Sequence, residues 1–266
     1  MRIGIVAPSC RIDTDIVSRV TALAADRAEL VWHPQCFLSD GHFAGPDHAR
    51  ADALIEYAND PRLDAIWFAR GGYGAVRIVD RVIEALGEAA RDKLYLGYSD
   101  AGTILGALYA AGLGRVAHGP MPADIRRDGG EAAVTRALDW LVDGLHHGAG
   151  EPVAAFNIVI LAHLIGTRHL PDLTGHVLML EEVAEHLYRV DRDLAQIVQH
   201  PHIRGAAGIQ LGRVSQVPEN DPDFGASPEE VVRYWCDRAG IPFLGAADIG
   251  HDADNKVVPF GWLPRA

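Results

Sequence analysis

The sequence predicts an α/β fold, with a parallel-sheet domain followed by a smaller C-terminal α/β domain. Three observations carry that prediction. Short apolar runs rich in β-branched residues alternate with stretches of helical spacing through the first 120 residues. Two of those runs end in turns built of glycine and small polar residues, Arg70-Gly71-Gly72-Tyr73-Gly74 and Gly97-Tyr98-Ser99-Asp100. After Pro120 the pattern breaks, and it resumes less regularly from Pro152. Strands that alternate with helices imply βαβ units and a parallel sheet.

Taken in order, Ile3–Ala7 reads as a first strand, and Asp13–Leu30 as a helix with Ile16, Val17, Val20, Leu23 and Ala24 on one face. Leu30–His33 is a second strand and Arg50–Tyr57 a helix. Ala65–Ala69 is a strand, Val76–Leu86 a helix, Leu94–Tyr98 a strand and Ala101–Ala111 an Ala-rich helix. A further strand starts at Arg115–Ala117. Pro120–Asp128 interrupts, and Glu131–Leu145 is an amphipathic helix that bridges to the second half. There, His176–Leu180 and Ala207–Leu211 read as strands and Ala184–Val198 as a helix. Gln216–Ala226 is a polar loop. Ser227-Pro228-Glu229-Glu230 is a capping box with proline at the first helical position. The expected division is 1–120 for the first domain, 121–151 for a linker and bridging helix, and 152–266 for the second domain.

A chain of 266 residues, 48% hydrophobic and 23% charged, has the composition of a globular protein with a real core. A formal net charge of −12 argues against nucleic acid or an anionic membrane as the main partner. The apolar run at the N-terminus is short and ends in Pro8-Ser9-Cys10, unlike a signal peptide, and no segment reaches the roughly 20 apolar residues of a membrane span. A cytoplasmic location is the expectation. Cys10, Cys36 and Cys236 are too scattered for a disulfide framework or a thiolate zinc site, and read as reduced and partly buried.

Gly97-Tyr98-Ser99-Asp100 stands where an apolar strand meets a helix. Ligands of open parallel sheets bind at such carboxyl ends, and the helix N-terminus offers N–H groups to a developing oxyanion. Taken alone, Ser99 or Asp100 reads equally as a helix cap. Ala101 stands where a G-x-S-x-G elbow has its second glycine. The Gly71-Gly72 pair lets backbone N–H groups approach a ligand, or serves the turn alone; it is neither a dinucleotide fingerprint nor a P-loop. Glu181 ends a strand, where a carboxylate can orient a histidine or face solvent. His251 follows the Phe243–Ala246 run and is one of 13 histidines. His146-His147 and His200-Pro201-His202 lack metal-ligand spacing and read as surface residues.

Together these segments resemble the LD-carboxypeptidase family of serine peptidases, including relatives that give immunity to peptide-nucleotide antibiotics. The ordered set runs from Pro8-Ser9, His42-Phe43-Ala44-Gly45 and Ala69-Arg70-Gly71-Gly72-Tyr73-Gly74-Ala75 to Gly97-Tyr98-Ser99-Asp100 and His118-Gly119-Pro120-Met121. It continues through Asn157, Gly166-Thr167, Leu180-Glu181-Glu182-Val183, Tyr188-Arg189-Val190-Asp191-Arg192, Gly250-His251 and Pro259-Phe260-Gly261. The resemblance implies Ser99 as nucleophile, Glu181 as triad acid and His251 as base. It implies oxyanion-hole amides at Gly72 and Asp100. Arg70 is by its position a candidate to read a substrate carboxylate, or else pairs with a nearby acid to hold the turn, and Asn157 is a second candidate substrate-binding residue. It also implies hydrolysis of the amide between an L-centre and a terminal D-amino acid, such as D-Ala of a murein tetrapeptide. The implied setting is a cytoplasmic homodimer with no metal and no cofactor.

Alternatives are an immunity-type amidase acting on a peptide-nucleotide antibiotic and a non-catalytic binding module on the same fold. A glutamine-amidotransferase-like enzyme would need a cysteine where Ser99 stands. The chain looks short for the family. It also carries Ala155-Phe156-Asn157 where Gly-Gly-Asn is usual, and Glu182 where Asp is common after the acid. Those departures bear on domain packing and the pocket wall.

Overall fold

The computed structural model describes residues 1–144 and 151–261. The first half forms β1 (Arg2–Val6), α1 (Thr14–Ala24), β2 (Glu29–Trp32), α2 (Asp47–Asn59), β3 (Ala65–Phe68), α3 (Val79–Ala85), β4 (Leu94–Gly97), α4 (Gly102–Ala110) and β5 (Arg115–His118). These five strands are parallel neighbours in the order β2-β1-β3-β4-β5. Strands β3 and β4 are buried at every position, which is why they read as unbroken apolar runs. The chain crosses from β2 on one side of β1 to β3 on the other. That reversal opens a crevice at the carboxyl ends of β1 and β3.

The segment expected to bridge the halves packs otherwise. Helix α5 (Gly130–Asp143) buries Val134, Ala137, Leu138 and Leu141 in the same apolar cluster as Ile3, Ile5, Trp67 and Ile16. Its three- and four-residue spacing gives one apolar face, and that face belongs to the first layer. Arg27 fastens α5 further by pairing with Asp139 and Asp143. The predicted helix end at Leu145, the pair His146-His147 and the tail 262–266 lie outside the described residues.

The second half holds β6 (Val153–Asn157), α6 (Ile158–Leu164), β7 (Val177–Val183), α7 (Leu187–Ile197), α8 (Pro201–Arg204), β8 (Gly208–Ser215), α9 (Pro228–Ala239) and β9 (Phe243–Ala246). Its four strands form a second parallel sheet in chain order. The capping box at Ser227 is present, with Oγ accepting from Glu230 N–H and the Glu230 carboxylate accepting from Ser227 N–H. Strand β6 was not expected from the sequence, and Ala155-Phe156-Asn157 is its carboxyl end.

The chain then returns to the first sheet. β10 (Val258–Pro259) pairs antiparallel with β5. Phe260 N–H donates to Val116 O at 2.9 Å, and Gly261 N–H to Val153 O at 2.8 Å, so two consecutive residues stitch β5 to β6. Gly261 has φ +75°, and a Cβ there would stand 2.6 Å from Tyr109 Oη, so the position requires glycine. Phe260 packs against Tyr109 and Phe156, at ring separations of 5.6 and 5.1 Å. Phe156 also reaches Gly102 and Gly106 of α4, where its bulk fills the space between the halves. The apolar cluster is continuous across both halves, joining Ile104 and Leu108 to Phe156, Leu161 and Leu164.

A shared core predicts shared unfolding. Phe260→Ala should cost about 3–5 kcal/mol, the usual range for emptying a buried aromatic site. In urea, the midpoint should fall with both sheets still melting in one transition. Two separated transitions in the wild type would refute the continuity of the core.

Candidate active site

Strand β4 ends at Gly97, Tyr98 is fully extended, and Ser99 then turns to φ +59°. A left-handed serine stores strain of order 1–3 kcal/mol and is held only by its surroundings. A Cβ on Gly97 would meet Phe68 Cδ2 at 2.8 Å and the Ala101 Cβ at 3.2 Å. The bend therefore needs a glycine before the serine, while alanine is small enough after it. A 3-10 turn at Ser99–Ala101 leads directly into α4, so Ser99 sits on a strand–turn–helix elbow despite Ala101.

Two loops close on that elbow. A Cβ on Gly71 would stand 2.7 Å from the Ser99 Cβ and 2.8 Å from its Oγ, so the glycine pair lies directly on the serine. Gly72 has φ +116°, and a Cβ there would overlap Cys10 Sγ at 2.3 Å. The Asp100 side chain points away from solvent. It is 3% exposed and accepts from Ser9 Oγ at 2.5 Å and from Ala75 N–H at 2.8 Å, which ties three loops together. Burial pushes its pKa up. Only the Asp100 backbone remains to serve the elbow.

The other partners come from the second half. Glu181 and Glu182 are consecutive on β7, and both are buried. Strand alternation sends them to opposite faces. Glu181 Oε2 accepts from His251 Nδ1 at 2.6 Å, whereas its buried Oε1 has no partner among the described residues. Glu182 instead accepts from Asn157 Nδ2 (2.7 Å), Val183 N–H (2.9 Å) and Val159 N–H (2.9 Å). Desolvation outweighs these donors and pushes Glu182 to about 7. The His251 ring lies 4.9 Å from Tyr98, the residue before Ser99.

Ser99 and His251 line one cavity of about 330 Å³, together with Arg70, Gly72, Tyr98 and Arg127. No hydrogen bond among the described residues joins the Ser99 and His251 side chains. With Nδ1–H directed at Glu181, the opposite ring nitrogen of a neutral His251 is an acceptor. The constellation is that of a hydroxyl and an oriented imidazole on one cavity, with glycine backbone beside them and a buried carboxylate bonded to the imidazole.

Arg70 is exposed at the cavity and donates to Arg11 O at 3.3 Å; among the described residues it has no ion pair. The other two lining arginines are engaged, Arg126 by Asp13 and Asp15, and Arg127 by Asp124. Asn157 is not brought to the cavity. It is 4% exposed, caps α6 by accepting from Ile160 N–H, and donates to Glu182. Cys10, Cys36 and Cys236 are free and buried.

Sequence reasoning missed the cavity floor. Tyr98 Oη donates to Asp124 Oδ1 at 2.8 Å, and Asp124 also accepts from Arg127 Nε and Met121 N–H. The available signal was Met121-Pro122-Ala123-Asp124, with proline at the first position of a turn and an acid two residues on.

Similarity to known proteins extends over both halves of the chain. Residues 3–119 match the model of the LD-carboxypeptidase N-terminal domain, and residues 152–264 that of the LD-carboxypeptidase C-terminal domain. A murein tetrapeptide carboxypeptidase of Pseudomonas aeruginosa is 26% identical over 290 residues, spanning 98% of this chain and 91% of the relative. The crystal structure of a muramoyltetrapeptide carboxypeptidase from Oxalobacter formigenes superposes with a TM-score of 0.81 at 22% identity, over 98% of this chain and 93% of that one. The microcin C7 self-immunity protein MccF superposes at 0.78 with 18% identity, over 98% and 91%. Among the described residues, no helix is long and apolar enough to cross a membrane.

Placement of Asn157 yields a test. Asn157→Ala should cost about 1–2 kcal/mol through the lost cap and the lost donor to Glu182. The KM for a peptide substrate should stay within about twofold. A large rise in KM at unchanged stability would put Asn157 against substrate instead. With both domain models matched in order, and the serine elbow, carboxylate–histidine pair and glycine loop around one cavity, this chain belongs to the LD-carboxypeptidase family.

Proposed function

We propose that this chain is a serine carboxypeptidase that releases a terminal D-amino acid from a murein-type tetrapeptide, D-Ala in the first instance. The observation that carries the reading is the His251–Glu181 contact at 2.6 Å, set on the same cavity as a left-handed Ser99. The name of the Pseudomonas aeruginosa relative supports the substrate class. A cytoplasmic homodimer belongs to the same reading, as does the division into a nucleophile domain and a domain carrying acid and base.

In this mechanism His251 takes the hydroxyl proton as Ser99 attacks the amide carbonyl. Glu181 holds the imidazole in the Nδ1–H tautomer and stabilises the imidazolium. Gly72 and Asp100 backbone N–H groups receive the oxyanion, at about 3 kcal/mol per donor. His251 then returns the proton to the departing amine, and water enters to hydrolyse the acyl-enzyme by the reverse proton path. Arg70, with no carboxylate partner among the described residues, meets the carboxylate of the terminal residue.

Ser99→Ala should lower kcat/KM for release of D-Ala by at least about a thousandfold, with an unchanged melting temperature. Mass spectrometry of the tetrapeptide digest reads this, and wild-type turnover in the variant would reject the acyl-enzyme. Arg70→Ala should raise KM roughly tenfold for the peptide acid, the scale of a lost hydrogen bond to a charged group, and leave its C-terminal amide unaffected. Equal effects on acid and amide would assign Arg70 to the loop rather than to substrate.

A further inference from the structure

His118 is the last residue of β5 and is 1% exposed. It stands in register with Gly97, two residues before Ser99, and with Val258 of β10. Its Nε2 lies 3.1 Å from Asn255 Oδ1. The same Oδ1 lies 3.2 Å from Gly250 N, the residue preceding His251. A backbone N–H only donates, so the amide oxygen faces it, and the Asn255 orientation is fixed without ambiguity. That oxygen must then accept from His118 as well, which requires the proton on His118 Nε2. Asn255 is itself fully buried, and its Nδ2 finds no partner among the described residues. The Asn255 side chain is therefore spent on this bridge. Tyr98 completes the packing, with its ring against both His118 (5.4 Å) and His251 (4.9 Å).

We propose that His118 is a positioning residue for the base: through Asn255 Oδ1 and Gly250 N–H it ties the loop carrying His251 to the strand beside the one that delivers Ser99. This rests on the reading of Ser99 and His251 given above. The contact is short in the right places. It begins one strand from the nucleophile and ends one residue from the imidazole. The His251–Glu181 bond alone fixes the base relative to the second sheet, whereas the His118 bridge fixes it relative to the first. A neutral ring is needed for the donor–acceptor pattern without an added charge. Burial supplies it by pushing His118 down to about 4, although Glu181, the hydrogen bond to Asn255 and Asp124 oppose the shift and His251 assists it.

The test uses the full-length protein and three variants. His118→Leu removes the donor. His118→Gln keeps an amide N–H near the Nε2 position. Asn255→Ala breaks the bridge at its other end and stands in should His118→Leu fail to fold. Two readouts are taken: kcat and KM for D-Ala release from the tetrapeptide, and the ring nitrogen shifts of His251, assigned by comparison with His251→Gln. A displacement of about 1 Å costs on the order of 100-fold in rate, so kcat should fall 10- to 100-fold in His118→Leu and Asn255→Ala. KM should stay within about twofold, and His118→Gln should recover most of the rate. The His251 nitrogens should move from a fixed Nδ1–H tautomer toward an average in His118→Leu and Asn255→Ala alone. Wild-type kcat and unmoved nitrogen shifts in a folded His118→Leu overturn the proposal. So does a loss that His118→Gln fails to recover. If Ser99→Ala retains turnover, or the wild type releases no D-Ala, the reading of the site fails; the nitrogen shifts then still decide the positioning.

Discussion

The Glu181 carboxylate is fully buried and, among the described residues, accepts one hydrogen bond, at 2.6 Å from His251. A carboxylate so buried is tolerated only where a partner meets it, and removing that partner typically costs several kcal/mol. The loop after β9 therefore has to bring its imidazole to the end of β7. Several unusual features follow from that demand. Gly212 has no room for a Cβ, which would meet Ile249 O at 2.8 Å and Glu181 Cβ at 2.9 Å. Arg213 grips the loop from below by pairing with Asp248 and Asp252, and its N–H donates to Ile249 O. The surface ion pairs are individually weak. Their value lies in converging on the five residues around one histidine.

A second constraint holds the first half of the site. Three loops at the carboxyl ends of β1, β3 and β4 meet at the crevice, and their polar backbone groups are taken out of water there. Asp100 satisfies donors from two of them, Ser9 Oγ and Ala75 N–H. Arg50, with no exposure at all, donates to Pro8 O and to Gly74 O and pairs with Asp47. One buried acid, accepting, and one buried guanidinium, donating, thus bind the same loops from opposite chemical sides. The strain of a left-handed Ser99 is sustained by this network and by the close fit of Gly71 against it.

The sequence shows the first half of this design more clearly than the second, for a physical reason. Strands β3 and β4 are buried throughout, so their apolar runs announce themselves, and Ser99 stands at the boundary of one of them. Ala101 argued against an elbow there only because the space beside Gly97 is not visible in a pattern. Glu181 was marked by its place after an apolar run, but its neighbour Glu182 shares that place; which acid meets the histidine depends on which face of β7 each takes. His251 is one histidine among 13, and order of segments rather than local pattern picked it out. Illegible altogether were β6, β10 and the bridge from His118. A two-residue antiparallel strand has no periodicity to detect, and a hydrogen bond between residues 118 and 255 leaves no local trace.

The two adjacent acids show how one strand serves both halves of the problem. On one face of β7, Glu181 is given a histidine. On the other, Glu182 is given three N–H donors, including Val159 at the start of α6 and the cap residue Asn157. Position 157 is therefore bound to the second-sheet interior, and Phe156 before it faces the opposite way into α4, Tyr109's neighbour Phe260 and the shared core. The departure Ala155-Phe156-Asn157 thus alters the packing between halves and not the wall of the cavity. Phe156 and Phe260 meet across the seam that β10 closes, so the side chain at 156 is part of the packing between the sheet that delivers Ser99 and the sheet that delivers Glu181. Hydroxyl and imidazole come from different sheets, and a close-packed interior between those sheets transmits small changes in its packing to the groups they carry.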